Sequence, residues 1–250
     1  MTNKSTHKFG LVGRNISYSF SKEYFTKKFI SEKSTYTYEN IDIQKIEDLL
    51  DYLANNIEFL KGFNITIPFK EVILKYLDEI DQNAQEIGAV NCVKVIDNQY
   101  LKGFNTDTFG FENSIKPLLK KHHKKAIILG TGGASKAVAY TLKKLQIDVT
   151  FVSRQPTKDQ ITYKELTKTI IRNHQIIINT TPLGTAGKNE EYFPNIPYQY
   201  INNKHLLYDL IYNPKETIFL KKGKQNNAVT KNGLEMLKLQ ADKSWEIWNY

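Results

Sequence analysis

The sequence predicts an α/β chain in two parts, and two observations predict it. The first lies mid-chain: Lys125-Ala-Ile-Ile-Leu-Gly130-Thr-Gly132-Gly133-Ala134-Ser135-Lys136, where a short apolar run meets three glycines and then a helical pattern. The second is the alternation of strand-like and helix-like segments on both sides of that run, the mark of α/β architecture.

Ala126 to Leu129 reads as a buried parallel strand, and Ala134 to Leu145 as a helix. Strand, glycine turn and helix in that order hold a pyrophosphate. Gly130 allows the tight turn, and Gly132 removes the Cβ that would keep phosphate from the backbone. The helix N-terminus adds unpaired N–H groups and the positive end of its dipole. Ser135 stands where G-x-G-x-x-G has its third glycine, and a plain tight turn would also use these letters. In this context Gly130, Thr131, Gly132, Gly133, Ala134 and Ser135 are candidate contacts to a dinucleotide, in a Rossmann-like domain.

Ile147 to Val152 reads as the second strand of the same βαβ unit. A fold of this kind that takes NAD usually ends this strand in Asp or Glu, which holds the ribose 2′-hydroxyl. Here the residues are Ser153-Arg154-Gln155. A guanidinium binds a 2′-phosphate bidentately and stacks on adenine, where a carboxylate would repel it. Lys158 can add a second positive charge. The expectation is NADP rather than NAD, the alternative for Arg154 being a solvated loop charge.

A chain of 250 residues can bury one large core or two small ones. Its 40% hydrophobic and 24% charged content is that of an ordinary globular protein. No apolar stretch approaches the ~18 residues of a membrane span. Met1 to Lys8 has no apolar segment of the secretory kind. The single Cys92 excludes an intrachain disulfide and, in its apolar run, reads as a small buried hydrophobe. A cytoplasmic protein fits these features. The net charge of +9 raises nucleic acid as a partner, but only Arg14, Arg154 and Arg172 are arginines and the lysines are spread along the chain. The one dense cluster, Lys120-Lys121-His122-His123-Lys124-Lys125, reads as a solvated connection. No zinc-ligand spacing is present, and a basic surface also suits small anions. The expected partner is therefore a small molecule, with no nucleic acid, membrane or metal.

Upstream, Lys8 to Gly13 reads as a strand, and a hydroxyl-rich loop follows to Ser21. Ser21 looks like the N-cap of a helix over Lys22 to Glu32. Hydroxyls near a helix start also suit a carboxylate ligand. Thr35 to Ile41 alternates as a strand, and Ile43 to Ala54 has apolar residues at helical spacing. Ile65 and Ile67 alternate as a strand, and Pro68 suits the first turn of a following helix. Asn64, Thr66 and Lys70 then gather at a strand's C-terminal end, the ligand side of an open α/β sheet, although a solvated Lys70 reads equally well. Glu79 to Ile87 reads as a helix, and Ala89 to Ile96 with Tyr100 to Asn105 as a hairpin about Asp97-Asn98. Asp107 could cap a helix from Phe109 to Leu119.

Downstream, Gln175 to Asn179 and His205 to Ile211 read as buried strands, with Thr180 in a ligand-side loop after the first and Tyr212 following the second. Lys215 to Lys222 reads as a helix, Ala228 to Thr230 as a brief strand and Leu234 to Trp248 as the last helix.

Several of these stretches together resemble the shikimate dehydrogenase family. Ser19-Phe20-Ser21 resembles its S-x-S site, and Asn64-Ile-Thr66-Ile-Pro68-Phe-Lys70 its N-x-T-x-P-x-K motif. Gly88-Ala-Val-Asn91, Asn105-Thr106-Asp107 and the Gly130–Ser135 turn follow in the family's order. Tyr208-Asp209-Leu-Ile-Tyr212-Asn-Pro214 and Asn232-Gly233-Leu-Glu235-Met236-Leu-Lys-Leu-Gln240 complete the set. Asn15 and Tyr18 stand where the family often has Pro and His, and Glu235 where a small residue is common.

The resemblance implies two α/β domains: a substrate domain over residues 1–107, completed by 234–250, and an NADP domain over 108–233. It implies an active site in the cleft and a C-terminal helix that returns to the first domain. It implies reversible NADPH-dependent reduction of 3-dehydroshikimate to shikimate, in chorismate and aromatic amino-acid biosynthesis. Lys70 and Asp107 would be catalytic, since a nascent alkoxide needs a proton and a lysine beside a carboxylate can supply it. Ser19, Ser21 and Tyr212 would bind the substrate carboxylate, and Thr66, Asn91 and Gln240 the ring hydroxyls. Thr180, Gly233 and Met236 would join the cofactor contacts already named, and the enzyme would be a monomer or homodimer. The alternatives are a broader quinate/shikimate dehydrogenase using NAD, or a regulatory cofactor-binding protein without catalysis.

Overall fold

The computed structural model describes residues 7–17 and 19–250. Tyr18 and the N-terminal residues up to Thr6 lie outside them. The chain divides into two compact units, Met1–Thr106 with Ala241–Tyr250, and Asp107–Gln240.

The first unit runs β1 (Lys8–Gly13), α1 (Phe20–Ser31), β2 (Thr37–Asp42), α2 (Asp48–Asn56), β3 (Leu60–Ile65), β4 (Glu79–Ile80), α3 (Gln82–Ile87), β5 (Cys92–Ile96) and β6 (Tyr100–Phe104). Its six-stranded sheet has the order β2-β1-β3-β5-β6-β4. β1 pairs in parallel with β2 and β3, while β5 runs antiparallel to β3 and to β6. One core cluster joins Val12, Leu49, Leu53, Phe63, Ile65, Ile73 and Val93. A second joins Phe9, Leu11, Phe25, Phe29, Tyr38, Cys92, Ala241 and Trp248. Strand residues one apart thus feed opposite faces, as the pleat requires. Each fully buried side chain of this size stabilises the fold by about 1.5–3 kcal/mol. Asp97 and Asn98, both with positive φ, turn the β5–β6 hairpin as expected.

The second unit runs α4 (Asp107–Ile115), β7 (Lys125–Leu129), α5 (Gly133–Lys144), β8 (Asp148–Val152), β9 (Gln160–Ile161), α6 (Lys168–Asn173), β10 (Ile176–Asn179), β11 (Leu206–Asp209), α7 (Ile218–Gln225), β12 (Val229–Lys231) and α8 (Leu234–Asn249). The residues of α8 from Ala241 onward are grouped with the first unit. Every strand pair of this sheet is parallel, and the order is β12-β11-β10-β7-β8-β9. Counted along this unit the order is 3-2-1-4-5-6, that of a dinucleotide-binding Rossmann fold. Ala126, Ile128, Ile176, Ile178, Leu206 and Tyr208 pack on one face; Ile127, Leu129, Ile177 and Leu207 pack on the other. Apolar residues in unbroken runs are what a sheet covered on both faces demands.

Several local expectations are corrected. The cap of α1 is Ser19, whose hydroxyl accepts from Lys22 N at 3.3 Å, and Ser21 is buried inside the first turn. Ile43 and Ile46 are core residues outside any helix, because Ile43 N still donates to Gly13 O along the sheet. The helix there begins at Asp48. After β3 the chain turns through a cis Ile67–Pro68 bond, Phe69 N bonds Thr66 O, and only a 3-10 turn, Val72–Tyr76, follows. Glu79 and Ile80 pair with β6 rather than starting a helix, and Asp81 caps α3. Asp107 is the first helical residue of α4 and not its cap, and α4 ends at Ile115 before a 3-10 turn, Lys116–Leu118. Thr217 sets the start of α7 later than the Lys215 expected.

Candidate active site

In the first unit the sheet brings several predicted residues to one end. β1 and β3 are parallel, so Gly13 and Ile65 finish side by side. β5 runs the other way, so Asn91 at its start lies beside the end of β3, and the end of β6 lies beside Asn91. Thr66 N donates to Val12 O at 2.9 Å and Ile65 N to Asn91 O at 2.9 Å. Lys70 is held in the turn after β3 by its carbonyl, which accepts from Val90 N at 2.8 Å. Thr66 and Lys70 are half-buried, and Ser19 and Ser21 lie on the helix start that follows β1.

Behind these residues is a buried polar chain. The Tyr38 hydroxyl donates to Asn64 Oδ1 at 2.9 Å. Asn64 Nδ2 donates to Asn91 O at 3.1 Å and to Ser244 Oγ at 2.9 Å. Asn91 Nδ2 donates to Thr106 Oγ1 at 3.0 Å, and Asn91 Oδ1 accepts from Thr106 N at 2.6 Å. Asn105 Nδ2 donates to Ala89 O at 2.9 Å. Burial holds the Tyr38 phenol well above its ordinary range, with Ser21 as a further hydrogen-bond partner. Burial likewise pushes the Cys92 thiol up to about 12, so Cys92 is protonated and inert at neutral pH.

In the second unit the glycine turn follows β7 at the point where the strand order reverses, between β7 and β10. Gly130 has φ of +109°, and a Cβ there would stand 2.8 Å from Thr180 Oγ1, so glycine is needed on both counts. Thr180 bonds Leu129 O through both N, at 3.0 Å, and Oγ1, at 2.7 Å. A Cβ built on Gly132 meets nothing within 4 Å, which leaves open space over the turn. Gly132 caps α5, and Ser135 Oγ donates back to Gly132 O at 2.6 Å. Ser135 thus does its work inside the turn, where a third glycine would only have allowed close packing.

At the end of β8, Ser153 Oγ accepts from Gln155 N at 3.2 Å, and Arg154 and Lys158 are exposed. The Arg154 charge reaches the Tyr163 phenol, whose pKa burial raises and Arg154 lowers. Open space at Gly132, the start of the 12-residue helix α5 and exposed Arg154 and Lys158, with no carboxylate in Ser153-Arg154-Gln155, fit an NADP dinucleotide. Elsewhere in this unit Gly233 N donates to Ile211 O at 3.0 Å, and a Cβ on Gly233 would strike Leu210 O. Met236 and Gln240 are buried on α8, and Gln240 Nε2 donates to Leu237 O at 2.9 Å. Tyr212 is half-buried in the loop after β11. Lys70 belongs to the first unit, whereas Asp107 opens the second and is buried.

Sequence reasoning missed Tyr38, Ser244 and Thr217, and gave Asn179 and Asp209 no role of their own. Asp209 is fully buried and accepts from Thr217 Oγ1, Asn179 Nδ2 and Ile211 N. An acid at the end of an apolar strand was the signal for it. The tyrosine and serine carried no local signal, being joined across the sequence only by the fold. Among the described residues no group of His, Cys, Asp and Glu could hold a metal ion, and no helix is long and apolar enough to cross a membrane.

Residues 11–93 match the model of the shikimate dehydrogenase substrate-binding domain. The chain is 39% identical over 264 residues to the NADP(+) shikimate dehydrogenase of Methanococcus maripaludis, covering 99% of this chain and 94% of that one. The crystal structure of shikimate dehydrogenase from Aquifex aeolicus superposes with a TM-score of 0.87 at 33% identity, covering 100% of this chain and 94% of that one. A shikimate dehydrogenase solved in complex with NADP+ superposes with a TM-score of 0.86 at 34% identity, covering 99% and 91%. With a Rossmann strand order, a glycine turn at its switch point and relatives of this identity along its whole length, the chain belongs to the shikimate dehydrogenase family.

Proposed function

We propose that the chain catalyses the reversible, NADP-dependent interconversion of shikimate and 3-dehydroshikimate. The observation that carries this reading is the 39% identity to an NADP(+) shikimate dehydrogenase across nearly the whole of both chains. The absence of a carboxylate in Ser153-Arg154-Gln155 supports NADP over NAD.

The division of labour follows the chain. Residues 1–107, completed by 234–250, hold the substrate, and 108–233 hold the cofactor. The N–H groups at the start of α5, reached through Gly130, Thr131, Gly132, Gly133, Ala134 and Ser135, bind the pyrophosphate. Arg154 clamps the 2′-phosphate with help from Ser153 and Lys158. Thr180 would be a further cofactor contact, and Met236 and the Gly233 backbone would lie near the nicotinamide. When bound, the dinucleotide supplies or accepts the hydride.

The remaining chemistry belongs to side chains. Lys70 Nζ gives a proton to the oxygen of the nascent alkoxide in reduction, and takes it back in oxidation. Asp107 holds the neighbouring hydroxyl through its carboxylate. Ser19, Ser21 and Tyr212 donate hydroxyl hydrogen bonds to the substrate carboxylate, and Thr66, Asn91 and Gln240 bind the ring hydroxyls. The substrate is a small molecule, and the enzyme works in the cytoplasm as a monomer or homodimer.

The test is a spectrophotometric assay of purified protein with shikimate and NADP+, repeated with quinate and with NAD+. Reduction of NADP+ dependent on shikimate is expected, with quinate and NAD+ giving far lower kcat/KM. Preference for quinate with NAD+ would favour the broader enzyme, and no turnover with any pair would sink the catalytic reading.

A further inference from the structure

Asn64 sits in the N-x-T-x-P-x-K stretch, yet its side chain is turned inward. It is 4% exposed, and both its Nδ2 bonds go to the protein, to Asn91 O and to Ser244 Oγ. Ser244 lies on α8, far along the chain, and is fully buried. Its hydroxyl also lies 3.2 Å from Thr106 Oγ1. Thr106 in turn contacts the Asn91 amide through both its N and its Oγ1.

Proton bookkeeping orders this chain. Asn64 Nδ2 can only donate, so Ser244 Oγ accepts from it and keeps its own hydrogen to give. Thr106 Oγ1 is an acceptor for that hydrogen and can give its own to Asn91 Oδ1, 3.2 Å away. Read from one end, the contacts run Tyr38, Asn64, Ser244, Thr106 and Asn91. The link between Thr106 and Asn91 is reciprocal, Asn91 Nδ2 donating to Thr106 Oγ1 and Asn91 Oδ1 accepting from Thr106 N, and an interruption of such an interior network leaves a buried polar group unsatisfied. Ser244 is contributed by α8. It sets both Asn64, at the end of β3, and Thr106, beyond the end of β6.

We propose that Ser244 is a positioning residue for substrate binding: its hydroxyl joins Asn64 to Thr106 and so fixes Asn91 and the β3 end that carries Thr66. The proposal rests on the functional reading above. Ser244 itself touches no substrate. Its loss lets the Asn64 and Asn91 amides rotate, which weakens the grip on shikimate and leaves the glycine turn untouched.

The experiment is steady-state kinetics of Ser244→Ala beside the wild type, with thermal unfolding of both. A raised KM for shikimate, roughly tenfold by the worth of one or two such bonds, is expected with the KM for NADP+ within about twofold. Ile247→Ala, a partly buried position on the same helix outside the polar chain, controls for lost packing. It is expected to lower the Tm and leave the shikimate KM alone. A folded Ser244→Ala with wild-type shikimate KM overturns the proposal, as does an equal rise in Ile247→Ala. If Ser244→Ala does not fold, Tyr38→Phe removes the first donor of the chain instead, and an unchanged KM there overturns it too. A wild type inactive on shikimate overturns the functional reading itself, whereas an active wild type beside an unperturbed Ser244→Ala removes this inference alone.

Discussion

Asn179 and Asp209 end neighbouring parallel strands in register, and the Asn179 amide donates to the Asp209 carboxylate across 3.0 Å. The other carboxylate oxygen accepts from Thr217 Oγ1 at 2.6 Å, and Thr217 caps α7. Asn179 Oδ1 meanwhile accepts from Thr181 N and Oγ1. One buried acid thereby ties together the loops that carry Thr180 and Tyr212.

Burial raises the Asp209 carboxyl to about 7, and the bonds from Thr217, Ile211 and Asn179 only partly oppose it. In the unfolded chain the same group ionises near ~3.9. Between those values the unfolded state has lost its proton while the folded state keeps it. Stability is therefore fully present below about pH 4, falls as pH rises through that window, and levels off above about pH 7. Asp209→Asn does not titrate, so its urea-unfolding free energy relative to wild type is expected to improve by at least ~1 kcal/mol from pH 4 to pH 7.5. A constant difference between the two proteins across that range would contradict the assignment.

Arg154 is exposed at the end of β8 with no carboxylate beside it in sequence. Arg154→Ala is expected to raise the KM for NADP+ and spare that for NAD+, lowering the preference by about 10–100-fold. Equal changes for the two cofactors would show that the guanidinium does not read the 2′-phosphate.

Ser19 and Ser21 separate under mutation because only Ser19 caps α1. Ser19→Ala is expected to cost about 1 kcal/mol of stability in addition to weakening shikimate binding. Ser21→Ala loses no cap, and its main effect is a raised shikimate KM, each lost bond to a charged group being worth roughly 1.5–3 kcal/mol. Unchanged shikimate KM in both variants would remove the pair from the carboxylate site.

The sequence showed the glycine turn, the unbroken apolar strands about it and the Asp97-Asn98 hairpin, because each rests on local chemistry. Gly130 needs its φ of +109° whatever surrounds it. Ile43 and Ile46 misled because apolar spacing records burial, and an irregular turn can bury the same side chains that a helix would. Ser21 misled because any of three neighbouring serines could cap, and the choice fell to the one whose hydroxyl meets Lys22 N. The two-residue strands Glu79–Ile80 and Gln160–Ile161 exist only by virtue of their partners. Tyr38 and Ser244 were illegible for the same reason, since nothing local marks a hydroxyl whose partner is Asn64.

The central claim is that Lys70 supplies the proton while the substrate is held by other groups. Lys70→Ala, checked for wild-type circular dichroism, is to be assayed with saturating NADP+ over a range of shikimate. A fall in kcat of about 10²–10⁴-fold is expected, with a much smaller change in KM. Asp107→Asn is expected to lower kcat as well, and NADP+ binding is expected to persist in both. A folded Lys70→Ala that retains near-normal kcat would contradict the account, because the proton would then come from another group.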